Sequence, residues 1–387
     1  MGNRITFLGL FFSVLYALLI FKVYNLQIQK GDEYKAQAFS IHRLSELMNP
    51  ARGSIYFTDK NGEMFPAAIN RNYPTIYAIP DEIDDPARTA EILSKIIQTD
   101  KGELNKILGK IPDPYEPILK KASDEQVNSI LDGKIKGIYV KQEPRRFYPL
   151  QDIGAHIIGF VSSDNDNPGG VYGTELYYDK VLSGTSGKLN GDQIVKNSVG
   201  GKDIHLTIDR DIQAESERIL TKLVADYKAE KGTVIVEEPK TGKILAMASV
   251  PGFNPNDYSK SGIETFLNPA VQAVYEPGSI FKVITMAAAI NAGAITPETT
   301  FVDTGALVLD GKTIKNWDLK AHGKVTMTEV LEQSINTGAA FAGKTLGNSQ
   351  FYNYLVKFGF KSKTDIDLPG EVIGSLKPLE ANVRPIN

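Results

Sequence analysis

Residues Tyr275 to Gly293 read YEPGSIFKVITMAAAINAG. Pro277-Gly278 breaks the segment before it, Ser279 is expected to open an apolar helix, and Gly293 can end that helix. Lys282 follows Ser279 by one turn. The i, i+3 spacing stacks both side chains on one helix face, where the amine can take the hydroxyl proton and the helix N-terminus favours developing negative charge. A capping serine beside a surface lysine is the plainer alternative. Against it, every residue from Phe281 to Ile290 except Lys282 and Thr285 is apolar, so the helix is expected to be largely buried. A buried ammonium is costly unless it has a task. No other S-x-x-K occurs in the chain.

Upstream, IHLTIDRDIQAESERILTKLVADYK gives a short strand, an aspartate N-cap at Asp209 or Asp211, and an amphipathic helix. GTVIVEEPKTGKILAMAS follows as two strands joined by a tight turn at Pro239 to Gly242, so an α/β arrangement opens here. Before this, RGSIYFTDKNGEMFPAA carries a hairpin signal at Asn61-Gly62, and PARTAEILSKIIQ reads as a helix between short extended runs. Residues 50 to 190 therefore form a β-rich mixed module that should fold on its own. LNGDQIVKNSVGGKD, polar and rich in glycine, reads as the connection onward. The expected division is 1–22 for a cytoplasmic stub and anchor, 23–49 for a juxtamembrane linker, 50–190 for a pedestal, 191–203 for the connection, and 204–387 for the second domain.

The chain has 387 residues, 42% hydrophobic and 23% charged, which is globular composition with room for two or more domains. A net charge of -3 with both signs interspersed gives no field that favours nucleic acid. Cysteine is absent, which excludes disulfides, thiol catalysis and zinc-thiolate sites. The four histidines, His42, His156, His205 and His322, are too scattered to suggest a metal pair, and no cofactor is implied. The uncharged run from Ile5 to Phe21, ITFLGLFFSVLYALLIF, covers about 25 Å as a helix, and its flanking cations can snorkel to complete a membrane span. Nothing like a small-x-small cleavage site follows, so an uncleaved signal anchor is expected rather than a removed signal peptide. Everything after Lys22 would then lie outside the cytoplasmic membrane. The myristoylation pattern in MGNRIT is taken as accidental.

S-x-x-K with a downstream S-x-N, here Ser334-Ile335-Asn336 in LEQSINTGAA, is the signature of penicillin-binding proteins and serine β-lactamases. Alone, S-x-N could be a helix-to-helix turn with a capping serine. The chain resembles the class B penicillin-binding proteins over nearly all its length, in RRFYPLQDIGAHIIGFV, GVYGTELYYDKVLSGTSG, LTIDRDIQ, EEPKTGKILAMASVPGFNPNDY, YEPGSIFK, HGKVTMTEVLEQSINTG and FGFKSKTDIDLPGE. The resemblance implies an α+β multidomain protein. It would comprise an N-terminal transmembrane helix, a β-rich pedestal of the dimerisation type, and an incomplete penicillin-binding/β-lactamase-like transpeptidase domain with helices around an antiparallel sheet.

It also implies roles. Ser279 would attack the penultimate D-alanine carbonyl of a peptidoglycan stem peptide ending in D-Ala-D-Ala, and Lys282 would accept its proton. Ser334 would relay a proton to the departing D-alanine, and Asn336 would hold Lys282 and the substrate amide in register. A β-lactam would be trapped at the same serine. The implied partners are the membrane, a glycosyltransferase, and divisome or elongation-complex proteins; GFVSSDNDNPGGVYGTELYYDK resembles the septal type more than the elongation type. A non-catalytic scaffold, or a β-lactam sensor or β-lactamase, are the competing functions. The four intact motif residues weigh against the first and the large pedestal against the second.

The family's third motif, K-[ST]-G, is expected after S-x-N and does not occur there. The sequence is therefore read as C-terminally truncated and inactive by itself, because one oxyanion-hole donor alone is worth roughly 2.7 to 4 kcal/mol. Lys240-Thr241-Gly242 is read as a hairpin turn and not as that motif. Gly338 to Thr345, GAAFAGKT, matches a P-loop pattern in letters, but its apolar alanine run predicts helix.

Overall fold

The computed structural model describes residues 50–110, 115–162, 169–190, 193–309 and 311–380, together with Tyr16, Phe21 and Lys22. The expected anchor from Ile5 to Phe21 thus lies almost wholly outside the described residues. Among those described, no helix is long and apolar enough to cross a membrane. The chain has a two-unit α+β architecture, residues 1–262 and 263–387.

The first unit is organised by a five-stranded sheet. β1 (Ile55–Thr58) and the long β2 (Met64–Ala78) form the expected hairpin, with Gly62 at φ 82° in its turn. Asp59 organises that turn by accepting from the Asn61 and Glu63 amides. β3 (Glu116–Leu119) and β4 (Ile138–Phe147) pair antiparallel with β2. Three helices cover this sheet: α1 (Pro86–Ile97), α2 (Lys101–Leu108) and α3 (Asp124–Gly133). Each start is specified locally. The Asp85 and Asp100 side chains cap α1 and α2, and Ser123 with Gln126 forms a capping box for α3. Their apolar faces place Leu93, Leu104, Leu108 and Ile130 against Ile76 and Ile138 of the sheet. Each such side chain contributes about 1.5–3 kcal/mol by leaving water.

The predicted connection is more structured than expected. A short hairpin, β5 (Lys188–Asn190) with β6 (Gln193–Lys196), precedes β7 (Ile204–His205). β7 was expected to begin the second domain, but it adds in parallel to the free edge of β1. The pedestal sheet thus draws a strand from beyond residue 190. The approach is tight: a Cβ on Gly201 would lie 1.7 Å from the Leu182 carbonyl oxygen, so only glycine fits there. α4 (Arg210–Asp226) follows with Asp209 as its N-cap, and β8 (Gly232–Glu237) pairs with β9 (Ile244–Val250) through the expected turn.

Within 263–387, α5 (Lys282–Asn291) packs against α7 (Asn336–Leu346). β10 (Thr300–Asp303) pairs with β13 (Gly323–Thr326), and β11 (Ala306–Leu309) with β12 (Lys312–Lys315), both antiparallel. α6 (Met327–Glu332) begins at a Thr326/Glu329 capping box. Met286, Ala288, Ala289, Val325, Val330 and Ile335 centre the core. The expectation that α5 is largely buried is corrected here. Thr285, Met286, Ala288 and Ala289 are buried, whereas Ile280, Val283 and Ile290 are 66%, 60% and 41% exposed. Met286, Ala288 and Ala289 pack into the core, while Val283, Ala287 and Ile290, spaced at helical period, form a separate outward stripe.

Candidate active site

Two segments distant in sequence meet at the entrance to α5. Gly278 takes φ 65°, a conformation glycine adopts without strain, and Gly278–Phe281 forms a single 3-10 turn closed by the Lys282 N–H donating to the Ser279 carbonyl. Ser279 was expected to open the α-helix, yet it lies one turn ahead of it. Such turns are frequent at helix N-termini, and they sharpen the stacking: residues i and i+3 eclipse in a 3-10 turn but are offset by about 60° in an α-helix. Ser279 is exposed.

Lys282 is half-buried. Its Nζ donates to the Ser334 carbonyl at 2.7 Å, to Ser334 Oγ at 3.0 Å and to Asn336 Oδ1 at 2.6 Å. An ammonium has three N–H bonds, and these three acceptors match them. Burial pushes the Lys282 pKa below the usual lysine value, with no carboxylate opposing the shift. The amine is thereby moved toward the neutral form that a base requires.

The S-x-N segment does connect two helices, as its plainer reading holds, but Ser334 does not cap the second. α6 ends, Ser334 adopts a left-handed φ of 54°, and Ile335 is extended and fully buried. The residues flanking that isoleucine both reach Lys282. Asn336 is held on its other side, donating through Nδ2 to the Lys315 carbonyl at 2.8 Å. All three of Lys282, Ser334 and Asn336 are therefore joined directly, with Ser279 one 3-10 turn before Lys282.

Sequence reasoning missed what stands behind Asn336. Asp303, Asn316, His322 and Thr337 form a hydrogen-bonded cluster brought together by two β-hairpins and the first turn of α7. No local spacing signals it. An apolar cavity of about 610 Å³ also adjoins the 277–281 turn, lined by Tyr275, Phe281, Phe351, Leu355 and Phe360. Among the described residues no group of three acidic or histidine side chains could hold a metal ion. Lys240 to Gly242 lie in the β8–β9 turn, with Gly242 at φ 76°, and Gly338 to Thr345 lie inside continuous α7 rather than in a phosphate loop.

Two family models match the chain: the penicillin-binding protein dimerisation domain over residues 47–209, and the penicillin binding protein transpeptidase domain over residues 232–384. The chain belongs to the class B penicillin-binding proteins. This penicillin-binding protein is 31% identical to stage V sporulation protein D of Bacillus subtilis, over 98% of the chain and 60% of the relative. It is 28% identical to peptidoglycan D,D-transpeptidase MrdA of Escherichia coli, over 97% of the chain and 65% of the relative. A solved peptidoglycan synthetase from Bifidobacterium adolescentis is 26% identical with a TM-score of 0.61, covering 87% of this chain and 67% of that one. The penicillin-binding protein sequence thus spans 60% and 65% of the length of these two curated relatives.

Proposed function

We propose that the chain carries the acyl-enzyme chemistry of a peptidoglycan D,D-transpeptidase, with Ser279 as nucleophile. The observation that supports this most is the Lys282 amine, depressed in pKa by burial and gripped by Ser334 and Asn336 one turn after an exposed serine. Neutral Lys282 takes the Ser279 hydroxyl proton as Oγ attacks the penultimate D-alanine carbonyl of a stem peptide. The tetrahedral adduct collapses, the C–N bond to the terminal D-alanine breaks, and the proton passes from the Lys282 ammonium through Ser334 Oγ to the departing amine. The amine of a second stem peptide then attacks the ester. An amide cross-link forms, and Ser279 regains its proton. A β-lactam follows the first half of this path and stops at the acyl-enzyme.

In this reading Ile5 to Phe21 anchors the chain by a single pass in the bacterial cytoplasmic membrane, and both the pedestal, whose sheet takes in Ile204–His205, and the catalytic portion that follows it lie outside that membrane. Glycosyltransferase and division- or elongation-complex proteins are the partners. The septal preference rests on residues 159–180, of which 163–168 lie outside the described residues; imaging a fluorescent fusion at septum or side wall decides it. Covalent labelling of the full-length protein by a fluorescent penicillin tests the chemistry. Labelling is expected in the parent and absent from Ser279→Ala; undiminished labelling of the alanine variant overturns the assignment.

A further inference from the structure

We propose that Asp303 and His322 are a positioning pair: they hold the two backbone segments that grip Asn336, and through Asn336 they set where the Lys282 amine sits. The inference rests on the catalytic reading of Lys282. The Asp303 side chain has no exposure to solvent and receives hydrogen bonds from every side. Thr337 Oγ1 and Asn316 Nδ2 donate to it at 2.7 Å, the amides of Gly305 and His322 at 2.9 Å, and His322 Nδ1 approaches at 2.8 Å. Two of these partners are chain neighbours of the Asn336 grip. Thr337 immediately follows Asn336. Asn316 immediately follows Lys315, whose carbonyl receives the Asn336 amide. Asn316 Oδ1 in turn accepts from the Thr337 amide at 3.2 Å, tying the two segments to each other. One carboxylate therefore stands behind both walls of the residue that faces Lys282.

His322 adds a titratable element. Its Nδ1 faces Asp303 and its Nε2 lies 3.2 Å from Asp318, so the doubly protonated ring satisfies two carboxylates at once. Loss of a proton leaves one ring lone pair against a carboxylate. Asp303, from β10, and Asp318, from the segment between β12 and β13, are the charged groups acting on the ring; Lys315, Lys320 and Lys324 nearby are exposed. The hydrogen bond to Asp303 chiefly raises the His322 pKa, against desolvation and with help from Asp318. Burial alone would raise the Asp303 pKa, but hydrogen bonds from Thr337 and His322 outweigh it and hold the carboxyl well below the usual range. The pairing thus favours the imidazolium form of His322 and the carboxylate form of Asp303.

The test measures the penicillin acylation rate constant of the full-length protein from pH 5 to 10, with thermal unfolding recorded for each variant. The parent should rise as Lys282 deprotonates and carry a second, descending limb as His322 loses its proton at a midpoint above about 6.5. His322→Asn keeps a donor toward Asp303 but cannot be charged. It should react about tenfold more slowly and lack the descending limb. Thr337→Val should lose about tenfold, and Thr337→Ser should recover most of that loss. Parent-like rates and pH profile in both His322→Asn and Thr337→Val overturn the proposal while leaving Ser279 as nucleophile. A second readout is independent of acylation: with 15N-asparagine labelling, the Asn336 side-chain amide signal should shift with the His322 titration. A signal that stays fixed through that transition also overturns the pair. A parent that is never acylated but shows the coupled shift would sink the transpeptidase reading and retain the positioning pair.

Discussion

Asn336→Ala is the perturbation whose effect can be worked most fully from the structure. It removes two hydrogen bonds, from Lys282 Nζ at 2.6 Å and to the Lys315 carbonyl at 2.8 Å. A bond to a charged group is worth about 1.5–3 kcal/mol and a neutral one about 0.5–1.5 kcal/mol. Lys282 is only partly buried, so water replaces part of the first, and about 2 kcal/mol of lost positioning remains. That converts to roughly a 30-fold slower acylation. The substitution also has a signature in pH. Losing an acceptor destabilises the ammonium, so the Lys282 pKa should fall further and the ascending limb of the rate profile should move to lower pH. Stopped-flow acylation by a chromogenic β-lactam between pH 5 and 10 gives both quantities. A rate within threefold of the parent with an unmoved ascending limb would refute the role of Asn336.

Lys282→Arg should abolish acylation while thermal unfolding stays close to the parent, because a guanidinium cannot deprotonate; a variant acylating at the parent rate would remove Lys282 from the mechanism. In the first unit, Glu175 is fully buried between Arg52 at 2.7 Å and Arg146 at 2.6 Å, so Glu175→Ala strips the nearly buried Arg146 of its carboxylate and leaves Arg52 with Asp179 alone. A loss of about 3–5 kcal/mol in urea unfolding is expected, and a loss below about 1 kcal/mol would contradict it. Glu143 carries an acid-stability signature: burial would raise its pKa, but hydrogen bonds from Lys141, Tyr115 and Thr75 outweigh this and lower it to about 2. Its stabilisation is present above the ordinary value of 4.5 and is lost as pH falls toward about 2. Glu143→Gln should flatten that decline, and an unchanged slope would count against the network.

Helices and hairpins were readable wherever their determinants are neighbours in sequence. Asp85 and Pro86 start α1, Asp209 starts α4, and Asn61-Gly62 turns the first hairpin, all within a few residues of what they specify. The Ser279 and Lys282 pair was readable for the same reason, since three residues of separation suffice to stack them. The Asp303 cluster was not. Its members come from β10, the segments flanking β12 and β13, and α7, and only tertiary folding brings a strand end against a helix start. On α5, apolar composition marks a surface fit to be covered but does not name what covers it; among the described residues Val283 is 60% exposed. β7 was assigned to the wrong neighbour for a related reason, as two residues of strand carry no record of their partner.

That late strand has a consequence for how the protein comes into being. β1 emerges early in synthesis, and β2 can pair with it at once. Its other edge must wait for Ile204 and His205, and the Ser54 amide for the Asp203 carboxylate that binds it at 2.7 Å. At translation speeds of about 5–20 residues per second, the interval is on the order of ten seconds or more. Throughout it Ile55–Thr58 presents an unsatisfied row of peptide groups, the sort of template on which nascent chains stick to one another. Until residue 204 arrives, any other unpaired strand nearby competes with it for the open edge of β1.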